Sequence, residues 1–320
     1  MQWITNLLRQ RETALVLILL VFGFIMSFAS PYFASPRNLE ALLMGLTVNG
    51  VIAVGMVIVF IAGGLDLSVG STMAFAGVVT GLALNAGIPV PLSILGGLAA
   101  ATAVGAVNGL LVSGLGINPL ITTVGMMITV RGLLLILSGG KAVLNLPDAY
   151  KVIGQGRLFG LQYPIYIMIV IVIVADILLR NSRFLRQAYY VGNNEASAAL
   201  SGINVGVVKV FSFCFVAALA GVAGIMITAR FGSASVTVGE GLELRVITAT
   251  IIGGASLKGG EGTVLGAFLG ALFMGMLANS LNLIGVDVYW QSFVTGLTLI
   301  LAIVIDVLSE RRKGGRVRAA

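Results

Sequence analysis

Stretches of 11 to 16 residues without a single charge recur along the whole chain, at 14–29, 50–62, 165–175, 264–277 and 293–305. With small flanking residues they reach the roughly 20 residues that a helix needs to cross a bilayer. Only 10% of the 320 residues are charged, against about 25% in a soluble domain, too few to cover a soluble surface. A membrane β-barrel would need segments of about ten residues alternating apolar and polar, whereas these runs are continuous. The fold class read from this is all-α and polytopic, each helix satisfying its own backbone in lipid.

Ten transmembrane helices fit, at about 14–34, 40–62, 68–86, 91–112, 119–138, 164–180, 207–229, 244–257, 263–283 and 289–308. The third and eighth are the shortest or the most polar at one end. All seven prolines fall near span ends, where a missing N–H costs least. The first apolar stretch ends in small residues, as a signal peptide does. So many spans follow that it reads as an uncleaved first helix.

The basic residues set the orientation. With the N-terminus inside, Arg9, Arg11, Arg180, Arg183, Arg186, Lys209, Lys258, Arg311, Arg312, Lys313, Arg316 and Arg318 lie inside. Arg37, Lys141, Lys151, Arg157, Arg230 and Arg245 lie outside, and Arg131 falls within a span. The excess of cations inside predicts cytoplasmic termini. The chain is then one transmembrane domain, 1–320, with a cytoplasmic N-terminus (1–13), a cytoplasmic loop (181–206) and a basic cytoplasmic tail (309–320). The net charge of +7 is a topology signal, and nucleic acid is not expected as a partner.

Glycine pairs such as Gly77/Gly81, Gly105/Gly109 and Gly266/Gly270 allow helix backbones to approach closely. An internal echo relates 61–68 to 251–258, each preceding a glycine-rich span. The single Cys214 excludes an internal disulfide framework, and there is no histidine to serve as general base or metal ligand. No G-x-x-x-x-G-K-[ST] loop is present. Gly154-Gln155-Gly156 lacks the third glycine of a dinucleotide fingerprint. Gly63-Gly64-Leu65-Asp66 lacks the second glycine of an intramembrane aspartyl protease. The chain is read as a non-enzyme that binds no cofactor or metal. Its energy source lies on another chain or in an ion gradient.

Ionisable groups in or near the membrane are costly and point to function. Asp66, with Ser68, sits in a glycine-rich break between two spans. A helix break here either exposes the carboxylate to a cavity or lets it cap the next helix. Arg131 pairs with a carbonyl or acid, or contacts substrate. Asn49, Asn108, Asn279 and Asn282 are amides that can bond the hydroxyls of a ligand in the bundle interior, or join helices. In the loop 181–206, Asn193 or Asn194 caps a short helix from Glu195 to Leu200, with Glu195 at its positive end. Gly192 and Gly202 bracket it and permit sharp turns. Six residues cannot hold a helix by propensity alone, so a partner groove is expected.

These segments carry a resemblance. The stretch from Asn194-Glu195-Ala196 to Ser201-Gly202-Ile203 resembles the cytoplasmic coupling loop of ribose-type permeases among the monosaccharide and branched-chain amino-acid ABC importers. Gly63-Gly64-Leu65-Asp66-Leu67-Ser68-Val69-Gly70-Ser71 is similar to that branch's GGIDLSVGS. Residues 119–125 with Arg131-Gly132 are similar to PFIATLG…RG, 253–262 to GGTSLAGGKG, and 279–286 to NGLNLLGV. In order, they cover nearly all of 40–308. Two departures stand out: Glu261 replaces a usual base, and Arg245 stands where an acid is usual.

The resemblance implies a type II-like importer permease of about ten helices in a bacterial inner membrane. A second permease, homo- or heterodimeric, would complete the path for a monosaccharide. A periplasmic sugar-binding protein would deliver substrate. A cytoplasmic subunit carrying ATP and Mg would drive it. Gly192, Asn194, Glu195, Ala196, Ser201 and Gly202 would engage that subunit; Asp66, Ser68, Asn49, Asn279 and Asn282 would line or gate the path. The alternative is an ion-coupled secondary carrier, which needs carboxylates deep in several spans. Only Asp66 and Asp176 are candidates. An intramembrane enzyme is the remaining rival.

Overall fold

The computed structural model describes residues 11–317. The expectations for residues 1–10 and 318–320, and for the side chains of 309–317, lie outside the residues described. Helices stand at all ten predicted positions: α1 (Arg11–Ala29), α2 (Pro36–Ile61), α3 (Val69–Asn85), α4 (Val90–Gly114) and α5 (Pro119–Ser138), then α7 (Tyr163–Asn181), α10 (Val205–Phe231), α11 (Leu242–Ile252), α12 (Val264–Leu283) and α13 (Val288–Val317). Eight are long and apolar enough to cross a membrane. The two weakest predictions are the two that fall short, α3 with 17 residues and α11 with 11.

The core is built on α2. From Gly50 to Ala62 every residue is buried, as expected for a helix apolar on all sides. Ser35 starts α2, its side chain accepting from Asn38 N–H, with Pro36 in the first turn. Helix α10 crosses α2, α3 and α4, and glycines set how closely. A Cβ on Gly55 would meet the Val216 backbone at 2.7 Å, and one on Gly109 would meet the Val210 backbone at 2.6 Å. Helix α1 lies outside, held by a small cluster of Leu15, Leu19 and Met26 on Leu269 and Met276.

Four elements were not expected. Helix α6 (Asp148–Gln155) and a two-stranded hairpin, β1 (Arg157–Leu158) and β2 (Leu161–Gln162), fill the segment before α7. Helix α8 (Arg183–Asn193) precedes α9 (Glu195–Leu200) in the loop after α7. Both α6 and α8 are amphipathic. α8 buries Leu185, Ala188 and Val191, one face at helical spacing. The two ends of the bundle are thereby distinct, one carrying α6 and the hairpin, the other α8 and α9.

Candidate functional site

At the α8–α9 end the chain leaving α2 turns back into the bundle. Gly63 adopts φ +76°, and residues 62–68 fold inward until Ser68 meets Asn108, six residues short of the end of α4. That places Asp66 about 9 Å inside the helix ends at 1.5 Å per residue. Asp66 is 1% exposed. Its Oδ1 accepts from Ser68 N–H at 2.8 Å and from Ser68 Oγ at 2.6 Å. Asn108 Nδ2 donates to Ser68 Oγ at 2.9 Å and reaches Asp66 Oδ2 at 3.5 Å. Among the described residues no cation pairs with Asp66, so hydrogen bonds alone satisfy it. The carboxylate holds Ser68, the N-cap residue of α3, rather than the second or third helical N–H. The sequence reading singled out Asn108 without placing it beside Asp66.

The other predicted path residues are dispersed. Asn49 lies midway along α2, with Oδ1 buried and unpartnered. Asn279 exchanges hydrogen bonds with Asn38 at 2.9 and 3.1 Å, joining α12 to α2. Asn282 accepts from Gln291 Nε2 at 2.7 Å. Arg131 takes the carbonyl alternative, donating to Val236 O at 2.6 Å and Val238 O at 3.1 Å. This ties the segment before α11 down against α5. There Gly70 and Gly239 touch backbone to backbone, and a Cβ on Gly70 would also meet Glu243 Oε2 at 2.8 Å.

The residues of 192–202 are brought together. Asn194 caps α9, its Oδ1 accepting from Ser197 N–H at 2.9 Å. Glu195 pairs with Lys209 of α10 at 2.5 Å, a partner the sequence reading did not see. Ala198 faces inward while Leu200 is 91% exposed. Beside α9 a cavity of about 360 Å³ is lined by Tyr190, Asn193, Asn194, Ser197, Ala198, Ser201 and Ile203. Gly202 has φ +81°, the left-handed stop expected of it. Gly192 is different: it lies inside α8 rather than at a turn. A Cβ there would collide with the carbonyl oxygen of Ile61 and stand 2.6 Å from Gly260 N. Gly260 N–H donates to the same Ile61 carbonyl at 2.9 Å, and Tyr189 Oη donates to Gly262 O at 2.8 Å. Burial pushes the Tyr189 phenol above its ordinary range. The end of α2, the end of α8 and the loop after α11 therefore meet at one glycine-lined junction.

A groove of about 390 Å³ runs between α11, α12 and α13. Its polar lining is Glu240, Arg245, Thr248, Gln291, Ser292 and Thr295. Only Arg245 had drawn notice in the sequence. The others are an amide, hydroxyls and an acid whose convergence depends on tertiary packing.

With this geometry in view, comparison with known proteins decides the family. Residues 38–303 match the family described as branched-chain amino acid transport system / permease component. The chain belongs to that family. It is 37% identical over 299 residues to the ribose import permease protein RbsC of Escherichia coli K12, covering 92% of this chain and 93% of the relative. It is 38% identical over 295 residues to the L-arabinose ABC transporter permease protein AraH of Azospirillum brasilense, covering 92% and 87%. The ribose import permease protein RbsC of Bacillus subtilis is 35% identical over 290 residues, covering 90% of each. No solved structure matches the chain. The protein is a multi-pass membrane permease component, a transport subunit rather than an enzyme, and the ion-coupled carrier is set aside.

Proposed function

We propose that this chain is the permease subunit of an ATP-driven importer for a monosaccharide, in a bacterial inner membrane with both termini cytoplasmic. The observation that carries the reading is identity of 37–38% to ribose and arabinose permeases over 92% of the chain. In this orientation the α8–α9 end is cytoplasmic and the α6–hairpin end faces outward. The segment from Gly192 to Gly202, with Asn194, Glu195, Ala196 and Ser201, docks a separate ATP-binding subunit that holds ATP and Mg. A capped helix with an open cavity beside it supports that docking. A periplasmic sugar-binding protein and a second permease subunit complete the assembly. Asp66 and Ser68 gate the path near its cytoplasmic end, and the amides of Asn49, Asn279 and Asn282 line it or brace it.

Reconstitution tests the reading. Proteoliposomes holding the permease, its ATP-binding subunit and a sugar-loaded binding protein should accumulate a pentose or hexose only with ATP inside. Uptake driven by an ion gradient without ATP would refute it.

A further inference from the structure

We propose that the groove between α11, α12 and α13 is a binding subsite for a neutral monosaccharide within the outer half of the membrane. The proposal rests on the importer reading for its orientation. The groove takes Met274–Leu281 from the last part of α12 and 291–299 from the first part of α13. Both lie toward the outward end.

The ligand class follows from which polar atoms are already used. Thr248 Oγ1 donates to Leu244 O at 2.6 Å, and Thr295 Oγ1 donates to Gln291 O at 2.8 Å. A hydroxyl has one proton and two lone pairs, so Thr295, which is partly exposed, can only accept from a ligand, whereas Thr248 is fully buried behind the groove wall and does not reach one. Gln291 Nε2 donates to Asn282 Oδ1 at 2.7 Å and Val286 O at 3.2 Å, which leaves its amide oxygen as acceptor. Glu240 adds a carboxylate. The donor is Arg245, whose Nε and Nη2 reach the Gly241 and Glu240 carbonyls at 3.5 and 3.3 Å. Its guanidinium has further N–H groups, and it forms no ion pair among the described residues.

Three acceptors, from Thr295, Gln291 and Glu240, thus face one cationic fork, with Leu244, Met274 and Leu277 as apolar walls. An acyl chain would leave those acceptors desolvated and unpaired. An anion would gain from Arg245 but face Glu240 and the acceptor lone pairs. A polyhydroxyl ring gives protons to the acceptors, takes one bond from the guanidinium and lays its C–H face on the walls.

The test counts sugar taken up per ATP hydrolysed by the whole reconstituted importer over a panel of pentoses and hexoses. Thr295→Val should lower that ratio about threefold to tenfold, the value of one hydrogen bond to a neutral group. Thr295→Ser should restore it. Thr298→Val, at a residue that does not line the groove, removes a hydroxyl bonded to Val294 O and should leave it unchanged. An unchanged ratio in Thr295→Val overturns the subsite while wild-type uptake still upholds the importer. Equal losses in the Ser and Thr298 variants show a structural effect and also overturn it. If wild type takes up no sugar in the panel, the monosaccharide reading itself fails and the subsite with it.

Discussion

Gly192→Ala is the sharpest perturbation the structure offers, because one methyl group must enter an occupied space. The Cβ would overlap the Ile61 carbonyl oxygen and lie 2.6 Å from Gly260 N. Neither neighbour is the end of a flexible side chain; both are backbone. Relief requires α8 to withdraw from the end of α2. Overpacking of this kind costs about 1–3 kcal/mol. The Gly260 N–H···O Ile61 bond at 2.9 Å uses the same oxygen, and losing it adds about 0.5–1.5 kcal/mol. The expected destabilisation is therefore about 2–4 kcal/mol. Gly202→Ala provides the comparison. Its φ is +81° and nothing lies within 4 Å of the added Cβ, so it pays only the left-handed backbone term of about 1–2 kcal/mol. Thermal unfolding of both purified variants in detergent reads the difference, and ATP-dependent uptake reads coupling. If Gly192→Ala unfolds no earlier than Gly202→Ala and imports normally, the junction of α2, α8 and the 256–262 loop is not the rigid contact described.

Three further outcomes are expected. Asp66→Ala leaves Ser68 N–H, Ser68 Oγ and Asn108 Nδ2 short of an acceptor in a buried site and should cost about 2–4 kcal/mol by thermal unfolding; a cost under about 1 kcal/mol would show that water replaces the carboxylate. Glu195→Lys places two cations together at Lys209 and should weaken pull-down of the ATP-binding subunit, with Lys209→Glu in the same chain restoring it. That pair is half-exposed, so its effect on stability should stay under about 1 kcal/mol. Phe159, at φ +47° on the hairpin tip and 93% exposed, holds a strained backbone for little packing. Phe159→Gly should therefore raise thermal stability by about 1 kcal/mol, and a fall would show that the ring is buried by lipid or a partner.

What was legible in the sequence follows from what hydropathy can register. A 20-residue apolar run has one solution in lipid, so α5 lies at Pro119–Ser138, the predicted 119–138. The span predicted at 244–257 overran because apolar residues continue past the helix. The chain turns at Gly254, φ +92°, ending α11 at Ile252. Helices α6 and α8 escaped because half their surface is polar and neither could span. At the candidate site, a cap at Asn193 or Asn194 was readable from consecutive residues, and the structure uses Asn194. The Asp66–Ser68–Asn108 cluster was not, because Asn108 comes from another helix 42 residues away. Gly192 was read as a turn because sequence shows a missing side chain without showing what fills its place.

One element connects the two candidate regions. At its first turn α11 is held by the Arg131-bonded segment and the Gly70–Gly239 contact, and it presents Arg245 to the groove. Its last turn leads into the loop that grips Ile61 and Tyr189. Along its length it lies on α12 at glycine-limited distance, where a Cβ on Gly253 would collide with the Gly266 carbonyl and stand 2.7 Å from the Ala267 backbone. A helix of 11 residues gripped by backbone contacts at both ends has little room to bend and must shift as a unit. Displacement of α8 by a docked subunit would then move the groove's Arg245 relative to Gln291 and Thr295 on α13. Helix α13, by contrast, packs within this chain mainly on α11, so it need not follow α12 when α11 shifts. The groove would open or close by the relative motion of α11 and α13, with no side chain at the α8 junction needing to reach the sugar.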